Sequence, residues 1–403
     1  MMNIFIVEDE VSLGKMMAQF LSQLGHRVIF VSSAEKAIEI LRKMDGYEGV
    51  FLVDRNLGDG MSGIDFVGWL RDNAIYNQVV ILTGYADEKS VQVCTKELGV
   101  SCFISKPITL ELLREELVRA VEQRGAHKGI YIEQARDQTV RYLFADRRIE
   151  FARLSIPNRR VSDIICISSQ DDCGMGCQFC ETGMSRRGHV RNLEVEELLM
   201  QVSESQDCCQ KHDREVCISI MGRGEPSYNI NNIAEFMDRL GGNYSFAIST
   251  VGVIPRLGEF VERFRSNNRI ELQFSLHFPD DKLRAQHMPV ARKNPLARVF
   301  PLLEDFSDKS PLPVCLNYSL FNGLNEGERY IEALIKLVEG KRFEVKLTGA
   351  SPFGIYQPVD IERVEAIEAI FDSVGVPHRR FFSKGQEVGA GCGQMAARIG
   401  TRG

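Results

Sequence analysis

The sequence lacks the long apolar run, the N-terminal signal pattern and the basic excess that mark three large classes of protein. No run approaches the roughly eighteen apolar residues of a membrane helix, and no basic-then-apolar segment follows Met1. We therefore expect a cytoplasmic protein with no membrane partner. The net charge of −6 argues against a generic nucleic-acid binder. With 403 residues, 44% of them hydrophobic, the chain is long enough for two to three globular domains.

Paired zinc-binding motifs are also missing. The chain has 11 cysteines, three of them in Cys173-Gly-Met-Gly-Cys177-Gln-Phe-Cys180, but no second CxxC or HxxxH pair. Structural zinc sites need four protein ligands, whereas three cysteines on a cuboidal iron–sulfur cluster leave one iron open for a substrate or cofactor. We interpret this loop as a cluster site. Three structural or zinc-bound thiols are the alternative.

Residues 1–124 alternate short apolar runs with amphipathic segments. The apolar runs are residues 4–7, 27–31, 50–53, 78–82 and 101–104. Five short strands separated by helices predict a doubly wound α/β domain with a parallel five-stranded sheet.

Polar residues follow the carboxyl ends of these predicted strands, where such a sheet places its ligand crevice. They are Glu8, Asp9, Asp54, Thr83 and Lys106. Three carboxylates that converge on one point repel each other unless a hard cation lies between them, so Mg²⁺ is predicted there. Asp54 is the candidate nucleophile.

These residues resemble the CheY-like receiver domain of two-component response regulators. The resemblance implies that Asp54 accepts a phosphoryl group from a sensor histidine kinase or phosphotransfer protein. It also implies that Glu8 and Asp9 hold Mg²⁺ with Asp54, and that Thr83 and Lys106 contact the phosphoryl oxygens. A homodimer through the receiver is one expected consequence. A degenerate receiver used only for dimerisation is the alternative.

A linker is predicted over residues 125–138, where hydrophobic periodicity is lost and Gly125 and Gly129 occur. Two β-patterned runs follow at 140–144 and 149–156. They predict a β-hairpin extension over 139–163 that leads into the remaining domain, residues 139–403.

From Ile164 onward, strand-like and helix-like segments alternate again, which predicts a partial (βα)6 barrel with its chemistry at the carboxyl ends of the strands. Four motifs fall at those ends: Gly222-Arg-Gly224-Glu225-Pro226, Ser249-Thr250-Val-Gly252, Ser275-Leu-His277 and Gly391-Cys392-Gly393-Gln394. The glycines allow close backbone approach to a ligand, and Glu225 can accept hydrogen bonds from an ammonium group. Cys392, flanked by glycines, is a sterically open thiol.

Together with Cys166-Ile-Ser-Ser-Gln170 and the cysteine loop, these motifs stand in unbroken order over about residues 138–400. They resemble the RlmN/Cfr type of radical S-adenosylmethionine (SAM) RNA methyltransferase. The resemblance implies a 4Fe-4S cluster on Cys173, Cys177 and Cys180, SAM, and a reductant such as flavodoxin or ferredoxin. One SAM methylates Cys392. A second is cleaved to a 5′-deoxyadenosyl radical that takes hydrogen from the new S-methyl group, and the resulting radical adds to an adenine ring carbon.

The resemblance also assigns roles to individual residues. Cys166 is the resolving thiol that releases the methylated base from Cys392, and Glu150 is the nearest match to an active-site base. Buried structural thiols at both cysteine positions are the alternative. The residues implied in SAM binding are Gly224, Glu225, Ser249, Ser275, His277 and Ser351.

Several positions depart from the family pattern. Ser351 replaces an asparagine that helps bind SAM, and Lys346-Leu347 replaces an Asn-Leu pair. The receiver stands where the family carries a small helical RNA-binding domain. RNA contacts would then rest on arginines that are equally consistent with a solvated face: Arg147, Arg148, Arg153, Arg159, Arg160, Arg186, Arg187 and Arg191.

The sequence thus predicts a methyltransferase that acts on adenine in ribosomal or transfer RNA and is regulated by phosphorylation of Asp54. One alternative is the same radical chemistry on a nucleotide or other small heterocycle. Another is a non-catalytic output module that senses a cluster or ligand.

Overall fold

The computed structural model describes residues 2–44, 46–84, 94, 98–122, 130–144, 148–155, 161–185, 189–206, 215–242 and 244–396. The chain forms two compact units, one of residues 1–134 and 141–148 and the other of residues 135–140 and 149–396. Among the helices in these ranges, none combines the length and apolarity needed to cross a membrane.

Within the described part of the first unit, six parallel strands pair in the order β2-β1-β3-β4-β5-β6. They are β1 (Asn3–Val7), β2 (Arg27–Val31), β3 (Val50–Asp54), β4 (Gln78–Thr83), β5 (Cys102–Ser105) and β6 (Ile130–Gln134). The helices are α1 (Val11–Gln23), α2 (Ala34–Leu41), α3 (Gly63–Asp72) and α4 (Leu110–Glu122). The predicted doubly wound receiver fold is confirmed.

The central strand β3 of this sheet is buried along its whole length. Every residue of β3 is buried, including Asp54 at its end. Helices that cover both faces of a parallel sheet require nearly continuous apolar strands, and Phe51 and Val53 pack with Phe66 and Leu70 of α3 in one core. The sheet thereby holds the residue at the end of β3 on a rigid support.

The linker prediction over residues 125–138 needs a correction, because β6 lies inside that range and pairs in parallel with β5. Ile130, Tyr131 and Ile132 are almost completely buried. The run is only three apolar residues long, too short to stand out by periodicity. It forms a strand because the edge of β5 offers unpaired backbone groups and an apolar surface to cover.

The second unit contains one antiparallel strand followed by parallel strands in chain order from β9 to β15. The strand β7 (Val140–Phe144) lies almost entirely in the first unit. The strands of the second unit are β8 (Ile149–Ser155), β9 (Val161–Ile167), β10 (Glu215–Ile220), β11 (Tyr244–Thr250), β12 (Ile270–Ser275), β13 (Val314–Leu320), β14 (Phe343–Gly349) and β15 (His378–Phe381). The predicted partial barrel is confirmed.

Helices alternate with these strands. They are α5 (Glu181–Met184), α6 (Val195–Gln206), α7 (Ile230–Leu240), α8 (Arg256–Phe264), α9 (Asp281–His287), α10 (Leu296–Lys309), α11 (Glu328–Val338) and α12 (Ile361–Val374). Strand β12 has one face toward the interior of the barrel and the other toward the surrounding helices. Its alternate residues Glu271, Gln273 and Ser275 line an internal cavity, whereas Phe274 points the other way and packs on Phe300 of α10.

The start of α3 packs directly against the end of β3. Gly63 donates its backbone N–H to the Arg55 carbonyl (2.9 Å), and a β-carbon at this position would lie 1.9 Å from the Asp54 carbonyl oxygen. Only glycine permits this approach, which holds Asp54 in place. One turn further along, a β-carbon on Gly68 would meet no atom within 4 Å.

We expect Gly63→Ala to destabilise the first unit by about 1–3 kcal/mol, because the added methyl group must push β3 and α3 apart. Gly68→Ala in the same helix should instead be neutral or stabilise by about 0.5–1 kcal/mol. Urea unfolding followed by the fluorescence of Trp69, the one tryptophan in the chain, measures both. Equal unfolding midpoints for the two variants would contradict the close contact.

Candidate active site

Three carboxylates meet at the carboxyl edge of the sheet in the first unit. Glu8 and Asp9 follow β1 and Asp54 ends β3, and one oxygen from each lies within 4.8 Å of the others. Glu8 and Asp54 are buried, whereas Asp9 is exposed. An all-oxygen donor set of this kind suits a hard divalent cation such as Mg²⁺.

Lys106 faces the same carboxylates. Its ammonium group lies 2.6 Å from Asp54 Oδ2 and 2.8 Å from Glu8 Oε2. Burial raises the pKa of Glu8 to about 7, although Lys106 acts to lower it. The single ammonium group of Lys106 therefore does not compensate for burial and for the charge of the neighbouring acid. Thr83 ends the neighbouring β4, and its carbonyl accepts from the Lys106 backbone N–H (2.7 Å). All five predicted residues of this site lie at one edge.

The second unit contains a cavity of about 440 Å³ that collects most of the other predicted residues. Eleven of them line it: Cys166, Cys173, Cys177, Cys180, Gly224, Glu225, Ser249, Ser275, His277, Ser351 and Cys392. They come from five different strands or strand ends, the cysteine loop and the C-terminal segment. The fold thus brings together motifs that are far apart in the sequence.

The cysteine loop connects β9 to α5 and contributes three thiols to the cavity. Burial is the main cause that raises the pKa of Cys173 to about 12, with the neighbouring Cys180 adding to it. The same cause raises the pKa of Cys177 and of Cys180. Three neighbouring thiols with raised pKa values are held as thiolates once positive charge is supplied, as the irons of a cluster do.

Phe179 closes one side of the loop. Its ring lies 4.9 Å from the His277 ring and 5.3 Å from the Phe321 ring, measured between centroids. Together with Tyr356, whose ring centroid lies 5.9 Å away, these side chains form an apolar shield beside the thiols. Such a shield limits access of water to the loop.

Glu225 is a buried carboxylate with fixed donors. Its oxygens accept from the Thr250 hydroxyl (2.5 Å), the Val251 N–H (2.9 Å) and the Ser227 N–H (3.2 Å). Burial nevertheless raises its pKa above the ordinary value. The preceding Gly224 has φ +103°, and a β-carbon there would lie 2.7 Å from Cβ of Gln170, so glycine is required at this position.

His277 is neutral and oriented. Burial lowers its pKa to about 3, and its Nδ1 accepts from the Ser319 N–H (3.1 Å). The proton therefore resides on Nε2, which makes the imidazole a hydrogen-bond donor toward the cavity that it lines.

Cys166 lies on β9 and Cys392 on the C-terminal segment, and both reach the cavity. Burial, reinforced by the nearby Cys392, raises the pKa of Cys166 to about 12. Cys392 Sγ lies 4.0 Å from Met221 Sδ. The Cys392 N–H donates to Ser383 Oγ (2.9 Å), which lies 3.3 Å from Ser351 Oγ.

Glu150 is placed differently from the other predicted residues. It is completely buried, is not among the residues that line the cavity, and has its carboxylate 3.9 Å from Arg223 Nη1. Of the arginines predicted to contact RNA, Arg191 forms an ion pair with Glu197 (2.7 Å). Arg147, Arg159, Arg160, Arg186 and Arg187 lie outside the described residues.

Sequence reasoning missed several polar residues of the cavity, including Glu271, Gln273 and Arg379, and it identified Lys346 only as a departure from the family pattern. They occupy alternate positions on β12 and corresponding positions on β14 and β15. A polar residue at every second position of an otherwise apolar strand was the available signal.

Comparisons with known proteins agree with both units. Residues 4–118 match the family model described as response regulator receiver domain, and residues 167–370 match the model of the radical SAM superfamily. That superfamily implies a 4Fe-4S cluster and SAM.

Similarity to individual proteins narrows the assignment within that superfamily. The chain is 31% identical over 281 residues to "Dual-specificity RNA methyltransferase RlmN" of Syntrophobacter fumaroxidans, which covers 66% of this chain and 79% of that protein. It is 27% identical to the protein of the same name from Marinobacter nauticus, with 75% and 85% covered.

A solved structure described as a radical SAM methyltransferase from Sphaerobacter thermophilus superposes with a TM-score of 0.59 at 25% identity. The match covers 82% of this chain and 92% of that one. The chain belongs to the radical SAM superfamily, and within it to the RlmN-type methyltransferases, with a response regulator receiver domain ahead of the catalytic unit.

Proposed function

We propose that the catalytic unit transfers a methyl-derived carbon through S-methyl-Cys392 to a ring carbon of adenine in RNA, and that phosphorylation of Asp54 regulates this activity. The observation that supports it most directly is that Cys166 and Cys392 line the same cavity as the three loop cysteines. A carbon carried on Cys392 then needs no movement between distant sites. RNA is the substrate class in the names of the relatives.

Within this proposal, Cys173, Cys177 and Cys180 hold the 4Fe-4S cluster. When bound, the cluster and SAM supply the one-electron chemistry that activates an S-methyl group. The SAM-binding surface consists of Gly224, Glu225, Ser249, Ser275, His277 and Ser351.

The chain's own side chains have distinct tasks around that surface. Glu225, held by its three donors, presents a fixed carboxylate to an ammonium group. His277 offers an Nε2 proton without carrying charge. Ser383 orients the Cys392 backbone and contacts Ser351, so the carrier thiol and the SAM-binding surface are aligned through one hydroxyl.

In the receiver, Glu8, Asp9 and Asp54 hold Mg²⁺, and Lys106 and Thr83 stabilise the phosphoryl group once it is on Asp54. The phosphoryl donor is a sensor histidine kinase or phosphotransfer protein. The close approach of Lys106 to Asp54 supports this assignment, since a cation placed there can neutralise a new phosphoryl oxygen.

Cys392→Ala should abolish methyl transfer completely, because no other side chain replaces the thioether that carries the carbon. Anaerobically reconstituted enzyme, SAM and RNA are incubated, and methylated adenine is measured by mass spectrometry of the digested RNA. In the wild-type protein a peptide containing S-methyl-Cys392 should be found. Cys102→Ala, which changes a buried receiver thiol, is the control and should keep the activity. Transfer by Cys392→Ala would refute the proposal.

Cys166→Ala should separate attachment from release. Cys392 still gains its methyl group and the carbon still reaches the base, but the tether between Cys392 and RNA is not resolved. We expect a covalent protein–RNA species on denaturing gels and loss of multiple turnover. Free methylated RNA formed at the wild-type rate would show that Cys166 is a structural thiol.

Asp54→Asn should not take up a phosphoryl group from acetyl phosphate, because the carboxylate that accepts it is absent. Chelation of Mg²⁺ should block uptake by the wild-type protein, because Lys106 alone does not offset the charge of three acids. Intact-mass spectrometry measures the uptake. Asp59→Asn, which changes an exposed acid outside the group of three carboxylates, is the matched control.

Regulation by phosphorylation is tested by measuring turnover with and without beryllofluoride. Equal rates would rule out regulation.

A further inference from the structure

Besides Arg269, four cationic residues line the cavity, and they belong to β14, β15 and the segment that follows β15. We call them the basic wall: Lys346, Arg379, Arg380 and Lys384. Two of them are neutralised by acids. Arg379 forms ion pairs with Glu271 (2.5 Å) and Glu344 (2.8 Å), and Arg380 donates to Glu368 (3.0 Å). The two lysines remain to be accounted for.

Lys346 is a buried cation with neutral contacts. Only 8% of the residue is exposed, its Nζ donates to Gln273 Oε1 (3.2 Å), and it lies 4.5 Å from the centre of the Phe381 ring. Within the described part of the chain, no carboxylate approaches its ammonium group to 4.0 Å. Lys384 likewise donates to a neutral oxygen, the Ser155 carbonyl (2.7 Å).

The hydrogen bonds of Lys346 lead to one acid, Glu271, which is already paired with Arg379. Gln273 connects Lys346 to Glu271 by donating its amide N–H to that carboxylate. Although burial acts in the opposite direction, the hydrogen bond and charge of Arg379 hold the pKa of Glu271 below its ordinary value. Glu271 is therefore an anion hydrogen-bonded by Arg379 and an amide, and it compensates the charge of Lys346 only from a distance.

Burying an ammonium group without a direct counter-ion costs several kcal/mol. An ammonium group has three donor protons, and Gln273 uses one of those on Lys346. The side chain lines the cavity, so its remaining protons are available to a ligand there. Oxygen atoms of an anion compensate a buried ammonium better than any neutral acceptor does.

Lys346 lies beside the SAM-binding surface and lines the same cavity as Cys392. In the strand register it is level with Ser275, through Asn317 of the intervening β13, and Gln273 accepts from both Lys346 and Ser249 Oγ. A ligand held at Cys392 that also carries an anionic group can therefore reach Lys346. A nucleotide carries such a group in its phosphate.

We propose that Lys346 is the centre of a phosphate-binding subsite for the nucleotide that is methylated. This inference rests on the proposed function, which it extends by stating that the cavity recognises the backbone phosphate of its substrate as well as the base. Gln273 positions Lys346 for this contact.

The first test compares AMP with adenosine, which differ by the phosphate alone. Binding to the reconstituted holoenzyme is measured by isothermal titration calorimetry. The wild-type protein should bind AMP roughly ten- to a hundredfold more tightly than adenosine, the range expected for a charged hydrogen bond. Lys346→Met should remove most of this preference.

Lys341→Met is the matched control. Lys341 also lies over an aromatic ring, that of Phe300 at 4.9 Å, but it is paired with Glu304 (2.8 Å) and does not line the cavity. It should keep the full preference for AMP. Melting temperature and iron content establish that each variant is folded and carries its cluster.

The second test uses a labelled single-stranded RNA. Loss of one phosphate contact should lower the slope of log K against log[KCl] by about 0.7 in Lys346→Met. Loss of affinity with an unchanged slope would place Lys346 against the base and overturn the proposal. Equal binding of AMP and adenosine by the wild-type protein would also overturn the proposal. If Lys346→Met instead weakens SAM binding and keeps the preference for AMP, Lys346 contacts the SAM carboxylate and the proposal is wrong.

Failure of the proposed function gives a different result. If the wild-type protein prefers AMP and Lys346→Met does not, but no RNA is methylated, the phosphate subsite stands and the proposed RNA methylation fails.

Discussion

The catalytic unit depends on the attachment of its C-terminal segment to the cysteine loop, and Arg223 is at the centre of that attachment. Its buried guanidinium donates to the Asp171 carbonyl (2.7 and 3.0 Å) and to the Met395 carbonyl (3.4 Å). The Glu181 N–H adds a bond to the Gly393 carbonyl (2.7 Å). Through these contacts the segment that carries Cys392 is fixed beside the thiols, although the two are far apart in the sequence.

Arg223 also explains the placement of Glu150. A fully buried guanidinium requires nearby negative charge, and Asp172 at 3.4 Å and Glu150 at 3.9 Å supply it. In this arrangement Glu150 stabilises the arginine that joins the two halves of the site. A base that acts on the substrate would need to reach the cavity, whose lining does not include this carboxylate.

Both units place reactive groups at the carboxyl ends of parallel strands, but they balance charge differently. In the receiver, three acids meet one lysine, and the excess negative charge suits a divalent cation. In the catalytic cavity, Glu225 and the cysteine thiols face one region, and a wall of cations faces another. The charge of each region matches the ligand chemistry proposed for it, because a low-dielectric site tolerates ions only when they are paired.

Motifs that are contiguous in the chain were predictable from the amino-acid sequence. The cysteine loop, the Gly-Arg-Gly-Glu-Pro segment and the residues after β1, β3 and β5 stand at strand ends that the pattern of apolar runs locates, and parallel strands bring such ends to one edge. The receiver and partial barrel followed from the same alternation. Strand β6 was missed because its three apolar residues stabilise a strand only against the exposed edge of β5.

The tertiary structure alone decided which side chains share the cavity and what charge each one meets. Cys166 and Cys392 are identifiable as thiols in the sequence, but their common cavity depends on contacts such as those of Arg223. Lys346 and Glu271 look like ordinary strand residues until their direction and burial are known, since one residue of register reverses the face on which a side chain lies. Local composition determines strands, helices and loops, whereas packing between distant segments determines burial, and burial sets the electrostatics of the site.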